Sequence, residues 1–246
     1  MPRNRGNNFI IIAVIVIGIL FLYFLSKPSI QSSQSKSTFV KDAGQVVFSV
    51  TDLAAKLENI TSINITIDSI LIHGTQNDSW INISVPQTSV DLLQLRSQNI
   101  NAFLHDYYLP EGRYNQVRLD ISNVVVVDWS GNKKAKLPSN TIKINLDLEV
   151  TEGTTSSILF DFIVDDSLHT TGGGNSGGVY IFAPVIKLTA KEKATVEIVD
   201  GKVNIYGGIV KTEAEIGVDE RGNVGSGKKM DPTKRFSIQS GMLIPY

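Results

Sequence analysis

The sequence predicts an all-β extracytoplasmic domain of antiparallel strands with one short helix, held behind a single N-terminal transmembrane helix. Three observations predict it. Phe9 to Leu25 is a run of seventeen residues without a charge. From Gly44 onward apolar and polar residues alternate with period two. The alternating runs are separated by Pro, Gly, Asn and Asp, residues that build turns.

The apolar run comes first in the chain. At a rise of about 1.5 Å per residue it covers roughly 25 Å of hydrocarbon, and Asn7, Asn8 and Ser26 extend it toward a full span. Arg3, Arg5 and the amino terminus precede it, while Lys27 alone follows closely, so the positive-inside bias keeps residues 1–8 in the cytoplasm. Large residues at Tyr23-Phe24-Leu25 do not suit a small-x-small cleavage site, which favours an uncleaved signal anchor over 9–26 in the cell membrane. A competing reading starts from Arg5-Gly6, which is similar to the processing site of archaeal pilin-like precursors; cleavage after Gly6 would leave Asn7 first and make the chain a filament subunit. Residues 27–42 follow as a stalk, since six of the sixteen residues from Ser26 to Lys41 are serine, too polar for a core.

Composition limits what the outer part does. With Arg3 and Arg5 set aside, the remainder of the 23 basic residues faces 24 acidic ones, a balance that gives no electrostatic footprint for nucleic acid. The absence of cysteine excludes disulfides, a lipidated cysteine, thiolate metal sites and a cysteine nucleophile. Stability must come from a core of Val, Ile and Leu.

Strand candidates then follow in order. Gln45 to Val50, Ile63 to Asp68 and Trp80 to Val85 each present one apolar and one polar face, as antiparallel strands do when only one side meets a core. Next comes a short helix: Thr88 or Ser89 caps it, Val90, Leu92, Leu93 and Leu95 form its apolar side, and Arg96 to Asn99 closes it. Leu109-Pro110-Glu111-Gly112 is a turn into Gln116 to Ile121 and the apolar Val124 to Val127.

At this point a resemblance emerges. Gln45 to Asp52, Trp80, Asp91 to Leu95, Leu109 to Leu119, Phe160-Asp161-Phe162 and Pro184-Val185-Ile186 resemble, in order and spacing, the domain of unknown function 4382 family over about 43–190. The resemblance implies a β-sandwich of the transthyretin or immunoglobulin-like kind on a cell-surface or exported protein. It supplies no catalytic residue.

Asp128 to Asn132 is a hairpin tip, and further strands are expected at Thr141 to Val150, Ser157 to Val164 and Val179 to Thr189, with the glycine-rich Gly172 to Gly178 a flexible loop. Beyond the resemblance, Thr195 to Val199 and Lys202 to Tyr206 joined by Asp200-Gly201 form a hairpin within a 191–218 extension, to which Ile209 to Val218 adds a third strand. Residues 219–246, rich in Gly, Lys and Ser, read as a loosely ordered tail.

Chemistry-bearing motifs are few. Gly222 to Lys229 has the spacing of a phosphate-binding loop, but Lys229 stands where Ser or Thr would hold magnesium and Pro232 opposes the helix such a loop needs, so no nucleotide is expected. His73, His105 and His169 are scattered without ligand spacing and read as turn or surface residues. Asp161, Asp165 and Asp166 are the candidate calcium ligands, against the simpler reading of a polar turn. Asn59, Asn64, Asn77 and Asn82 open four glycosylation sequons. The expectation is therefore a single-pass membrane protein whose outer domain is a surface binding, adhesion or structural module, without catalysis or cofactor. Its partners are the bilayer through Phe9 to Leu25 and a surface protein or glycan; the alternatives are the filament subunit and an envelope glycan hydrolase using Asp161, Asp165 or Asp166.

Overall fold

The computed structural model describes residues 42–52, 57, 59–83, 85–171, 178–231, 233–234, 236–239 and 242–245. The anchor at 9–26, the residues before it, Gly6 included, the stalk up to 41 and Gly172 to Gly177 lie outside the described residues. Among the described residues no helix is long and apolar enough to cross a membrane.

The first half of the described chain is β1 (Ala43–Thr51), β2 (Ile60–Gly74), β3 (Ser79–Ile83), β4 (Thr88–Asp91), α1 (Leu92–Gln98), β5 (Ala102–Pro110), β6 (Gly112–Asp128) and β7 (Gly131–Lys134). Then follow β8 (Thr141–Val150), β9 (Thr155–Phe162), α2 (Val164–Ser167), β10 (Leu168–Thr171), β11 (Val179–Phe182), β12 (Val185–Val199) and β13 (Lys202–Val218). β14 (Val224–Gly225), β15 (Phe236–Gln239) and β16 (Met242–Pro245) complete it. The protein is all-β, built on two six-stranded sheets. One has the order β3-β2-β6-β7 with β4 on β2 and β8 on β6; the other runs β12-β9-β1-β5-β13-β14. Their inward faces share one apolar core, with Ile63, Ile65, Val117 and Ile144 from the first sheet and Phe48, Val50, Phe160 and Leu188 from the second.

Alternation builds these faces. In β8 every second residue from Ile142 to Val150 is buried and the intervening ones face solvent, the signature of a strand with one wet side. β1 differs, because all its residues but Gln45 are buried. It lies inside its sheet, antiparallel to β5 and parallel to β9. That parallel pair corrects the wholly antiparallel expectation: alternation reports which side is wet, and says nothing of the neighbour's direction. β9 reaches β1 only after a long passage through the other sheet, as a parallel neighbour requires.

Other elements differ from expectation for equally local reasons. Residues 88–91 form a strand on β2, with Val90 opposite Ile65, so Thr88 and Ser89 cap nothing. The cap is Asp91, whose Oδ1 accepts from the backbone N–H of Leu93 and Gln94, and Asn99 closes the helix in the left-handed region at φ 51°. The run Val179 to Thr189 is broken at Ala183-Pro184 into β11 and β12. Ile209 to Val218 is no third strand: β13 passes without interruption through Gly207 and Gly208, whose φ values of 59° and 78° bend it. The supposed loose tail is anchored, with Val224 pairing Val218 and with Met230 and Phe236 buried.

The longest hairpin decides the shape of the second sheet. Near its base β12 pairs with β9 as far as Lys191 opposite Ser157; beyond that, β12 and β13 continue as a two-stranded arm to the turn at Asp200-Gly201. The tip of the arm meets the free edge of β5, where Lys202 pairs with Ala102, Gly201 accepts from the Phe103 N–H at 2.8 Å and Val203 donates to Asn101 at 2.8 Å. β12, β9, β1, β5 and β13 thereby close into a ring. The arm thereby covers the start of the β5 edge at Ala102, where backbone groups would otherwise be open to other chains.

Candidate functional site

Two ends of the domain are distinguished by what they carry. The chain enters at Ala43, beside Pro110 of β5. From the adjoining turn β6 runs its whole length to Asp128, which pairs with Ile60 at the opposite end. Only Trp129 and Ser130 separate Asp128 from its hairpin partner Gly131, whose φ of 110° suits glycine.

Asp128 holds this tip. Its Oδ1 accepts from the Ser130 backbone N–H at 2.8 Å and from the Ser130 hydroxyl at 2.7 Å. Its Oδ2 accepts from Lys133 Nζ at 3.0 Å and from the Tyr180 hydroxyl at 2.9 Å. Only 4% of the Asp128 side chain is exposed. The Ser130 hydrogen bond, aided by Lys133 and Tyr180, holds the carboxyl far below the usual carboxylate range against the opposing effect of desolvation. Tyr180 titrates above an ordinary phenol, through burial first and its bond to Asp128 second. β11, which carries Tyr180, is itself tied to the chain after β7 by Lys136 N–H to the Tyr180 carbonyl at 2.8 Å and Phe182 N–H to the Lys136 carbonyl at 2.7 Å.

The consequence is a tryptophan presented on a braced turn. Trp129 is 88% exposed, far more than any other large apolar side chain among the described residues. A free indole has little reason to remain in water unless something else covers it, and Trp is the residue most enriched among the energetic anchors of interfaces.

Asp128 also sets an acid response. Its folded pKa lies below the ordinary 3.8, so on acidification the unfolded chain takes up this proton first. The stability it supplies is complete above that value and is lost as pH falls toward the folded pKa. Asp128→Asn is expected to lower the melting temperature near neutral pH and to flatten its acid decline relative to wild type. Parallel acid limbs in the two proteins would remove Asp128 from that role.

Asp161 lies on β9 opposite Lys187 of β12, on the face away from the core, whereas Asp165 and Asp166 belong to α2, past the bend at Ile163. Among the described residues no three His, Cys, Asp or Glu side chains converge as cation ligands, so the calcium set Asp161, Asp165 and Asp166 is not assembled. The reason is the strand's end: the first aspartate follows the pleat and the other two follow the helix. Asp161, Asp165 and Asp166 do not line the three cavities at the arm tip, beneath the arm and beside His169.

The three histidines sit on three separate strands, not in turns. His73 contacts Asn115 and Asp78 at 2.7 and 3.3 Å and stacks obliquely with Trp80, over which Lys143 Nζ lies 5.6 Å from the ring centroid. Burial lowers the His169 pKa, and its Nε2 contacts the Asp166 carbonyl at 3.0 Å, which fixes that nitrogen as the donor. In the loop with phosphate-binding spacing, Asp219 accepts from the Arg221 and Asn223 backbone N–H groups and pairs with Lys228 at 3.7 Å. Of the sequon asparagines, Asn59 and Asn77 occupy turns at opposite ends, while Asn64 and Asn82 lie on the outer side of β2 and β3.

Sequence reasoning passed over Trp129. The signal was a large aromatic inside a turn, Asp128-Trp129-Ser130-Gly131, where small polar residues are the norm. A family model described as "Domain of unknown function (DUF4382)" matches residues 43–184. No curated protein and no solved structure matches. The match ends at Pro184, so the ring-closing hairpin of β12 and β13 lies beyond it.

Proposed function

This chain belongs to the family described as "Domain of unknown function (DUF4382)", and from that footing we propose that it is a membrane-anchored extracytoplasmic binding module that grips a surface partner through Trp129. The reading takes Phe9 to Leu25 as the bilayer anchor and the β-domain as a transthyretin or immunoglobulin-like sandwich. One observation carries it: an indole 88% exposed on a turn clamped by Asp128, at the end of β6 remote from where the chain enters. A clamped turn loses little conformational entropy on binding, so the anchor is preorganised for contact. The partner class is a protein or glycan of the cell surface.

The test combines topology with contact. Protease treatment of intact cells is expected to remove a carboxy-terminal tag, and the purified chain to begin at Met1 or Pro2. A protected tag would overturn the outward orientation; a chain beginning at Asn7 would replace the anchored module with a filament subunit. Attachment of the cells to partner surfaces is expected to fall with Trp129→Ala and to be kept by Trp129→Phe. Unchanged attachment in the alanine variant would remove Trp129 as the anchor.

A further inference from the structure

The ring closed by the β12–β13 arm encloses polar groups that a purely structural closure would not place there. Pairing puts Ser49 beside Leu159 and Val47 beside Ser157, all on the face turned away from the shared core. Ser49 is 0% exposed and Ser157 is 1% exposed. Among the described residues the Ser49 hydroxyl has no hydrogen-bond partner. An unsatisfied buried hydroxyl is costly, and at the centre of a strand an alanine would avoid that cost.

On the same face lies a cavity of about 350 Å³, lined in part by Ile205 of the arm. Its lining is of two kinds. Asn101, Ser157 and Thr189 offer hydroxyl and amide groups, and Leu159, Ile205 and Val210 offer apolar surface. Lys191 lines it too and forms no ion pair among the described residues, whereas Glu213, also in the wall, is engaged with Lys187 at 3.8 Å. The volume falls within the range of small-molecule sites, and the mouths and interiors of closed strand rings are common places for them.

We propose that this cavity binds a small hydroxylated carboxylate, a sugar acid of the hexuronate kind. Lys191 pairs with the carboxylate, the hydroxyl and amide groups meet the ring hydroxyls, and Leu159 and Val210 lie against the C–H face of the sugar. A fatty acid fits less well, since its chain would lie against the Asn101, Ser157 and Thr189 side chains without meeting their hydrogen-bonding groups. The proposal stands apart from the Trp129 reading: it uses other residues on another sheet, and neither requires the other.

The experiment is titration of the full chain in lipid nanodiscs with glucuronate, using glucose as the uncharged counterpart. Saturable glucuronate binding at least about tenfold tighter than glucose is expected, the size of one charge-assisted hydrogen bond. Lys191→Gln is expected to weaken glucuronate by about tenfold and to leave glucose unchanged. Val210→Trp, which fills the cavity, is expected to abolish binding of both. Absence of saturable glucuronate binding would overturn the proposal, as would equal affinity in the Lys191→Gln protein. Because Lys191 is partly exposed, that variant keeps the test decisive even if the tryptophan variant does not fold.

Discussion

Phe48→Ala is expected to lower the unfolding free energy by about 3–5 kcal/mol, the range for emptying an aromatic site in a rigid core. Phe48 is 0% exposed and sits at the middle of β1, beside Ile158 of β9 and opposite His105 of β5. Its ring belongs to the core shared by both sheets, so the cavity left behind has strands on every side and collapses poorly. Loss on this scale is a large part of the stability of an ordinary domain, so the variant should melt far below wild type or fail to accumulate. Phe48→Leu keeps most of the volume and should cost much less. Urea unfolding of the two variants beside wild type is the measurement; a wild-type midpoint for Phe48→Ala would contradict the placement of β1 at the centre of its sheet.

Gly44→Val is expected to cost about 1–3 kcal/mol by overpacking, from a position that looks like an ordinary strand residue. A Cβ there would lie 2.6 Å from the Thr151 carbonyl oxygen and 2.7 Å from Val150 Cγ1. Val150 ends β8, and Thr151 opens the turn that carries the chain from β8 in one sheet to β9 in the other. The turn is also tied to β1 by Gln45 N–H to the Thr154 carbonyl at 2.9 Å and Gly153 N–H to the Ala43 carbonyl at 3.0 Å. Backbone atoms cannot rotate aside as a side chain can, so the turn itself must move. Amide exchange should accelerate first at Gln45 and Gly153 and then along β1, with Gly44→Ala giving a smaller effect of the same pattern. Unchanged exchange at Gln45 would rule out the close approach.

The two substitutions mark how legible the chain was. Phe48 lies in a run whose alternation announces a strand, and its burial follows from its chemistry. Gly44 looked only like the start of that run, because the reason for its missing side chain lies more than a hundred residues away at Thr151. The candidate site divides in the same manner. The hairpin at Asp128 to Asn132 was readable from its turn residues, but the bracing of that turn depends on Tyr180, which sits on a strand distant in sequence.

Strand positions, turn chemistry and helix α1 were written in the order of residues, because alternation, capping and positive φ are properties of a few neighbours. The Leu92 to Gln98 helix and the Asp200-Gly201 turn are examples, though even there Asp91 displaced Thr88 as the cap once Val90 found a partner strand. Which strand lies beside which, the parallel match of β1 with β9, the ring closed at Ala102, the burial of Ser49 and the exposure of Trp129 were settled only by assembly. Strand hydrogen bonds are the same for every residue type, and so the choice of partner and direction rests on how two whole faces fit together in three dimensions.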